Sequence, residues 1–120
     1  MQITNMLEQI KKHPDFANVG MILCHNGVVR ATARDGRNVK GLKVTVDHEK
    51  LEQIIGEQSQ KPGIIDIQVN IVENKNLAVG DDIMHLMVAG DIRENVISVL
   101  KDTLDAIKMQ VTRKTEYFVE

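Results

Sequence analysis

Apolar positions recur along this chain with two periods, and each period predicts a different kind of element. Met6, Leu7 and Ile10 fall at helical spacing and predict a helix over 4–12. Thr4 is its candidate N-cap, and Pro14 stands just past its end, where a helix cannot continue. The apolar run Val19 to Cys24 predicts a buried strand, and residues 28–33 follow directly. Arg34-Asp35-Gly36-Arg37 is a hairpin turn signal, because Asp-Gly accepts positive φ. Val39, Leu42, Val44 and Val46 then predict the returning strand. Asp47 can cap a helix over 48–59 that presents Leu51, Ile54 and Ile55 on one face, and Lys61-Pro62-Gly63 ends it.

The period then changes to two. Ile65, Ile67, Val69 and Ile71 alternate with Asp66, Gln68 and Asn70, the pattern of a half-buried strand over 64–72. Residues 73–76 are a polar turn, and 83–89 predict another strand. Val96, Ile97, Leu100, Leu104 and Ile107 return to helical spacing and predict a helix over 92–108. Asp91 is its expected N-cap, with Glu94 completing a capping box. Val111, Tyr117 and Phe118 mark a last strand over 111–119. Strands in hairpins mixed with helices on one side predict an α+β fold with a mainly antiparallel sheet.

Composition narrows the function classes. A chain of 120 residues with 42% hydrophobic content fits one domain spanning 1–120 and has enough core to fold without disulfides or metal. Its formal net charge of −2 argues against general nucleic-acid or membrane-surface binding, which requires a basic excess. A single cysteine, Cys24, excludes an internal disulfide framework and a thiolate zinc cluster. No apolar run is long enough to span a membrane, and the opening MQITNMLEQIKK does not read as a secretory signal, so the expected location is cytoplasmic.

Familiar chemistry is sparse. The four histidines, His13, His25, His48 and His85, show no metal-ligand spacing and read as surface or structural residues. Cys24 reads as a small core residue, since strand neighbours such as Cys24 and His25 point to opposite faces and make a poor dyad. Asp81-Asp82 reads as a loop pair rather than a cation site. No metal and no resident cofactor is expected. The cations carry more. Arg93 falls in the first turn of the expected last helix, where free N–H groups attract anions and the macrodipole disfavours a lone cation. It reads equally well as a solvated arginine paired with Glu94 or Asp91. Arg30, Arg93, Lys108 and Lys114 could together line an anion pocket, although each taken singly reads as a surface charge.

The ordered set Gly27-Val28-Val29-Arg30, the turn at 34–37, Val39-Lys40-Gly41-Leu42 and Leu77-Ala78-Val79-Gly80-Asp81-Asp82-Ile83 resembles the large, catalytic subunit of molybdopterin synthase, the MoaE-like family. Arg93 falls where that family has the arginine of a His-Arg pair, Lys108 where it has a helix-end lysine, and Lys114 with Glu116 resembles its Lys-x-Glu tail. The chain departs from the pattern at His25, where the family usually has Phe, at Ile92, where it has His, and at Val72-Glu73, where it has His-Arg. The stretch before Lys114 is also one residue shorter and lacks Pro-x-Trp.

The resemblance implies an α/β-hammerhead fold and a homodimer. Each copy would bind a small ubiquitin-like sulfur-carrier subunit through its C-terminal Gly-Gly thiocarboxylate, giving a heterotetramer. The implied activity is sulfur transfer to cyclic pyranopterin monophosphate, forming molybdopterin. It implies Lys108 and Lys114 as catalytic residues and Arg30 and Arg93 as substrate-binding ones, with Arg37 and Arg113 as further cations that could make up lost charge. Arginine offers a planar fork for oxyanions, and a lysine's pKa is easily lowered by burial or neighbouring cations. The alternatives are a non-catalytic paralogue that binds a ubiquitin-like subunit, a pterin or a small anion, and an oligomeric α+β domain outside the family.

Overall fold

The computed structural model describes residues 2–120. Three helices are present: α1 (Gln2–Lys11), α2 (His48–Ser59) and α3 (Arg93–Ala106). Six strands complete the order: β1 (Met21–Val28), β2 (Val39–Val46), β3 (Ile64–Ile71), β4 (Leu77–Ala78), β5 (Asp82–Gly90) and β6 (Thr112–Phe118). They form two three-stranded antiparallel sheets, β1-β5-β3 and β4-β2-β6. The fold is therefore α+β and antiparallel throughout, as the alternation of periods predicts.

Strand β5 is the spine of the first sheet. Met84 through Gly90 are all buried, because both faces of the strand are covered. Met84, Leu86 and Val88 point into a core with Ile54 of α2, Val96 and Val99 of α3, and Ile67 of β3. Met87 and Ala89 point the other way and pack against Met6 and Ile10 of α1. Two helices thus lie on one face, and the third closes the opposite one. The alternation read in 64–72 has this cause: Ile67, Val69 and Ile71 pair with Val88, Leu86 and Met84 on the core face.

Three local expectations change. The 34–37 turn forms, with Gly36 at φ +91° and a Thr32–Asn38 bridge, but the strands flanking it do not pair with each other. β1 joins β5 while β2 joins β6, so the chain crosses from one sheet to the other. Helix α1 starts at Gln2, which puts Thr4 inside it rather than at its cap. Helix α3 starts after Ile92, not Asp91, and has no side-chain cap. Asp91 instead accepts from the N–H of Ile92 at 2.7 Å and from Asn95 Nδ2 at 2.9 Å, and these bonds hold its carboxyl below the usual range. Glu94 is turned to Arg93 rather than to the cap. Asp47 caps α2 as expected, accepting from the N–H of Lys50 at 3.1 Å.

The end of α3 is irregular in a way that matters for the site. Residues Ile107–Val111 widen into a π-helical turn closed by the N–H of Thr112 on the carbonyl of Ile107. Ile107 and Val111 are buried in the main core and anchor the turn, while Lys108, Met109 and Gln110 between them are exposed. Such single π turns recur at functional sites. Among the described residues, no helix is long and apolar enough to cross a membrane.

Candidate functional site

A hollow of about 680 Å³ opens where the two sheets meet. Its apolar floor comes from both: Leu42 and Val44 of β2, Ile71 of β3, and Ile83 and Met84 of β5. Its rim is cationic. Arg30 and Arg34 stand on the loop after β1, Lys108 on the π turn, and Lys114 on β6. The same hollow takes in His25 and Gly27 of β1 and Glu116 of β6.

Each rim group has a structural reason for its position. In β6, Thr112, Lys114 and Glu116 pair with Val46, Val44 and Leu42 of β2, so they share the face that looks into the hollow. Lys114 Nζ lies 3.9 Å from Glu116 Oε2, a loose pair that leaves the ammonium half exposed. Arg30 Nε donates to the carbonyl of Thr32 at 2.8 Å, which fixes the guanidinium against its own loop. Lys108 belongs to no ion pair among the described residues. Burial pushes the His25 imidazole below its ordinary pKa, and the positive charge of Lys108 and then His85 push it further the same way.

The cations named from the sequence divide into two sets. Arg30, Lys108 and Lys114 come together in the hollow; Arg93, Arg37 and Arg113 do not. Arg93 is 78% exposed at the start of α3 and lies 3.4 Å from Glu94, so the solvated-pair reading describes it in this chain. Arg113 pairs with Thr45 on the opposite face of β6 from Lys114, a direct result of strand alternation. Arg37 stays in the 34–37 turn, 2.8 Å from Asp35, with its guanidinium over the Phe118 ring at 3.8 Å. Its partnership holds the Asp35 carboxyl below the usual range.

Sequence reasoning did not single out Arg34 or His25. Arg34 read only as a turn residue, and its position beside Arg30 depends on the local Thr32–Asn38 bridge. His25 had two signals, its alternation with Cys24 and its place where the resembled family usually has Phe. Cys24 is exposed rather than a core residue, although it shares a sheet face with Met87; partial burial raises its thiol pKa. Asp81 is a turn residue and Asp82 opens β5, and both carboxylates are occupied: Asp81 accepts from the N–H of Ala78 at 2.8 Å, and Asp82 from Asn26 Nδ2 at 3.1 Å. His85 is buried on the other face of β5, with its Nε2 3.5 Å from Asp82 Oδ2.

A floor of aliphatic side chains under four cations suits a guest with an apolar or planar body and anionic groups. Arginine and lysine at the rim supply charge-assisted hydrogen bonds to oxyanions. Glu116 is the only carboxylate among the lining residues.

Comparison with known proteins adds to this geometry. A family profile described as "MoaE protein" matches residues 2–110. Molybdopterin synthase from Staphylococcus aureus superposes with a TM-score of 0.73 at 22% identity, covering 86% of this chain and 77% of that one. A molybdopterin cofactor biosynthesis protein E from Burkholderia multivorans gives 0.76 at 20% identity, covering 99% and 84%. A chain from the complex of subunits 1 and 2 of molybdopterin-converting factor from Helicobacter pylori gives 0.71 at 14% identity, covering 100% and 85%. No curated protein sequence matches the chain.

Proposed function

We propose, from the premise that this chain belongs to the MoaE protein family and so acts in molybdenum cofactor biosynthesis, that it is the sulfur-transferring large subunit of a molybdopterin synthase. Its partner is a small ubiquitin-like subunit, in line with the two-subunit assembly of the Helicobacter relative. The observation that carries the reading is the convergence of Arg30, Lys108 and Lys114 on one hollow with an aliphatic floor.

In this reading the partner's C-terminal thiocarboxylate and the phosphate of cyclic pyranopterin monophosphate both bring negative charge to the rim. Arg30 binds substrate oxyanions through its planar fork. Lys108, without a carboxylate partner among the described residues, stands at the reacting centre, where a fixed cation stabilises charge that develops on the acyl oxygen. Lys114 holds substrate from the β6 side. Glu116 keeps Lys114 from swinging away. The whole chain, 1–120, acts as one domain in the cytoplasm, and two copies pair to make a heterotetramer with two small subunits.

The test is direct. The purified chain is mixed with thiocarboxylated small subunit and precursor, and molybdopterin is assayed. Lys108→Ala should remove most product. Full product from that variant overturns the role of Lys108, and no product from the parent chain overturns the enzyme reading. One observation favours a second reading, a non-catalytic paralogue that binds the small subunit, a pterin or a small anion: Arg93 lies outside the hollow of its own chain. Capture of the small subunit without turnover would decide for it.

A further inference from the structure

The hollow holds one titratable group that the proposed mechanism does not use. His25 reaches it from β1, two residues before Gly27 on the same strand face. Its ring lies along that glycine: a side chain there would meet Nε2 at 3.4 Å. Among the described hydrogen bonds, none occupies either ring nitrogen of His25, although the group is partly buried. An imidazole with both nitrogens uncommitted, opening on a hollow rimmed by cations, is free to meet an anionic guest there.

We infer that His25 is a further ligand of the anion in this hollow, and that it takes up a proton when the anion binds. The inference deepens the reading of the hollow as a site for anionic guests and rests on it. Without a bound anion, burial and then the charges of Lys108 and His85 disfavour the imidazole's cation. Around it stand Arg30 and Arg34 from the loop, Lys108 from the π turn, Lys114 and Glu116 from β6, and His85 with Asp82 from β5. Four of these are cationic side chains, and the guest's negative charge offsets them, which relieves the repulsion that disfavours the imidazolium.

Linkage fixes the sign. A group whose pKa is higher in the bound state binds a proton with the ligand, so affinity rises as pH falls through its range. A guest that enters the hollow thereby acquires an acid beside it. Arginine cannot fill that role, since its guanidinium keeps its protons.

The probe is sulfate, which stays fully ionised across the range. The imidazole of His25 in the full chain is titrated by NMR with and without saturating sulfate, and sulfate affinity is measured by calorimetry from pH 5 to pH 8, a window of roughly one and a half pH units on either side of the ordinary imidazole value. Sulfate should move the His25 midpoint upward by about one pH unit, equivalent to a tenfold tighter complex with the protonated form. His25→Phe and His25→Asn should both bind sulfate with affinity that no longer strengthens below neutral pH. Where His25→Phe fails to fold, His25→Asn carries the comparison. An unchanged His25 midpoint under saturating sulfate overturns the inference, as does undiminished pH dependence in a folded variant. Loss of sulfur transfer in the parent chain, with sulfate-linked protonation retained, would instead count against the enzyme reading alone.

Discussion

The two sheets share a strand count and an antiparallel plan, yet they do different work. Sheet β1-β5-β3 is covered on both faces, and its middle strand is buried along almost its whole length. Sheet β4-β2-β6 has one small core of Val29, Leu42, Val44 and Leu77, and its strand β6 is half exposed. Stability is concentrated in the first sheet. The second, together with the loop after β1 and the π turn before β6, carries all four rim cations. Where a side chain is fully packed it cannot move to a ligand; where it is half packed it can be aimed without being spent on the core.

Four experiments press on that contrast. The largest effect should come from Leu86→Ala at the centre of β5, where the side chain is fully buried. It should cost about 2–5 kcal/mol of unfolding free energy, a large share of a small domain's total. A urea midpoint lowered by under about 0.5 kcal/mol equivalent would deny β5 its place as the spine.

Within β6, Lys114→Ala should weaken sulfate binding several-fold, while Arg113→Ala, one residue away on the other face, should leave it within about twofold. Equal losses in both variants would mean that the strand does not present the face described here.

A stabilising change should come from α3. Thr103 is fully buried and its hydroxyl has no hydrogen-bond partner. Thr103→Val keeps the shape and removes the orphan group, and should raise the unfolding free energy by about 1 kcal/mol. A lower thermal midpoint would show the hydroxyl to be satisfied in solution.

The smallest effect concerns acid. The folded pKa of His25 lies below its ordinary value of 6.5, so the unfolded chain binds the proton more tightly and stability falls as pH drops through that region. His25→Phe should therefore lose less stability between neutral pH and about pH 5 than the parent does. An identical decline in both would remove His25 from the acid response.

Much of this was legible in advance because local rules govern it. The period of two in 64–72 reflects what faces the core; in the helix expected over 92–108, Val96 and Ile107 are buried as expected, but Ile97 faces solvent and Val99 and Thr103 take its place inside. Asp47 works as a cap because its oxygen needs only a backbone N–H three residues on. Which strands pair was not legible. The Asp-Gly turn at 35–36 forms, but its flanking strands part: β1 pairs along its length with β5, and only Thr32 and Asn38 bridge beside the turn. Asp91 failed as a cap for a similar reason: a nearby amide, Asn95, competes for the same carboxylate oxygen. Among the cations, spacing could not tell Lys114 from Arg113. Only the register of β6 on β2 does so, and that register is a long-range fact.

The π turn has a consequence for how such a chain can drift by insertion and deletion. It contains one more residue than an ordinary helical turn would use, and Met109 at its crest is 84% exposed, so losing that residue would leave almost no void. The strand that follows would then have to slip by one position or stretch its junction. A slip would exchange Lys114 and Glu116 for Arg113 and Thr115 on the inner side. The length of this short segment, more than the identity of any side chain in it, sets which residues of the following strand face the hollow.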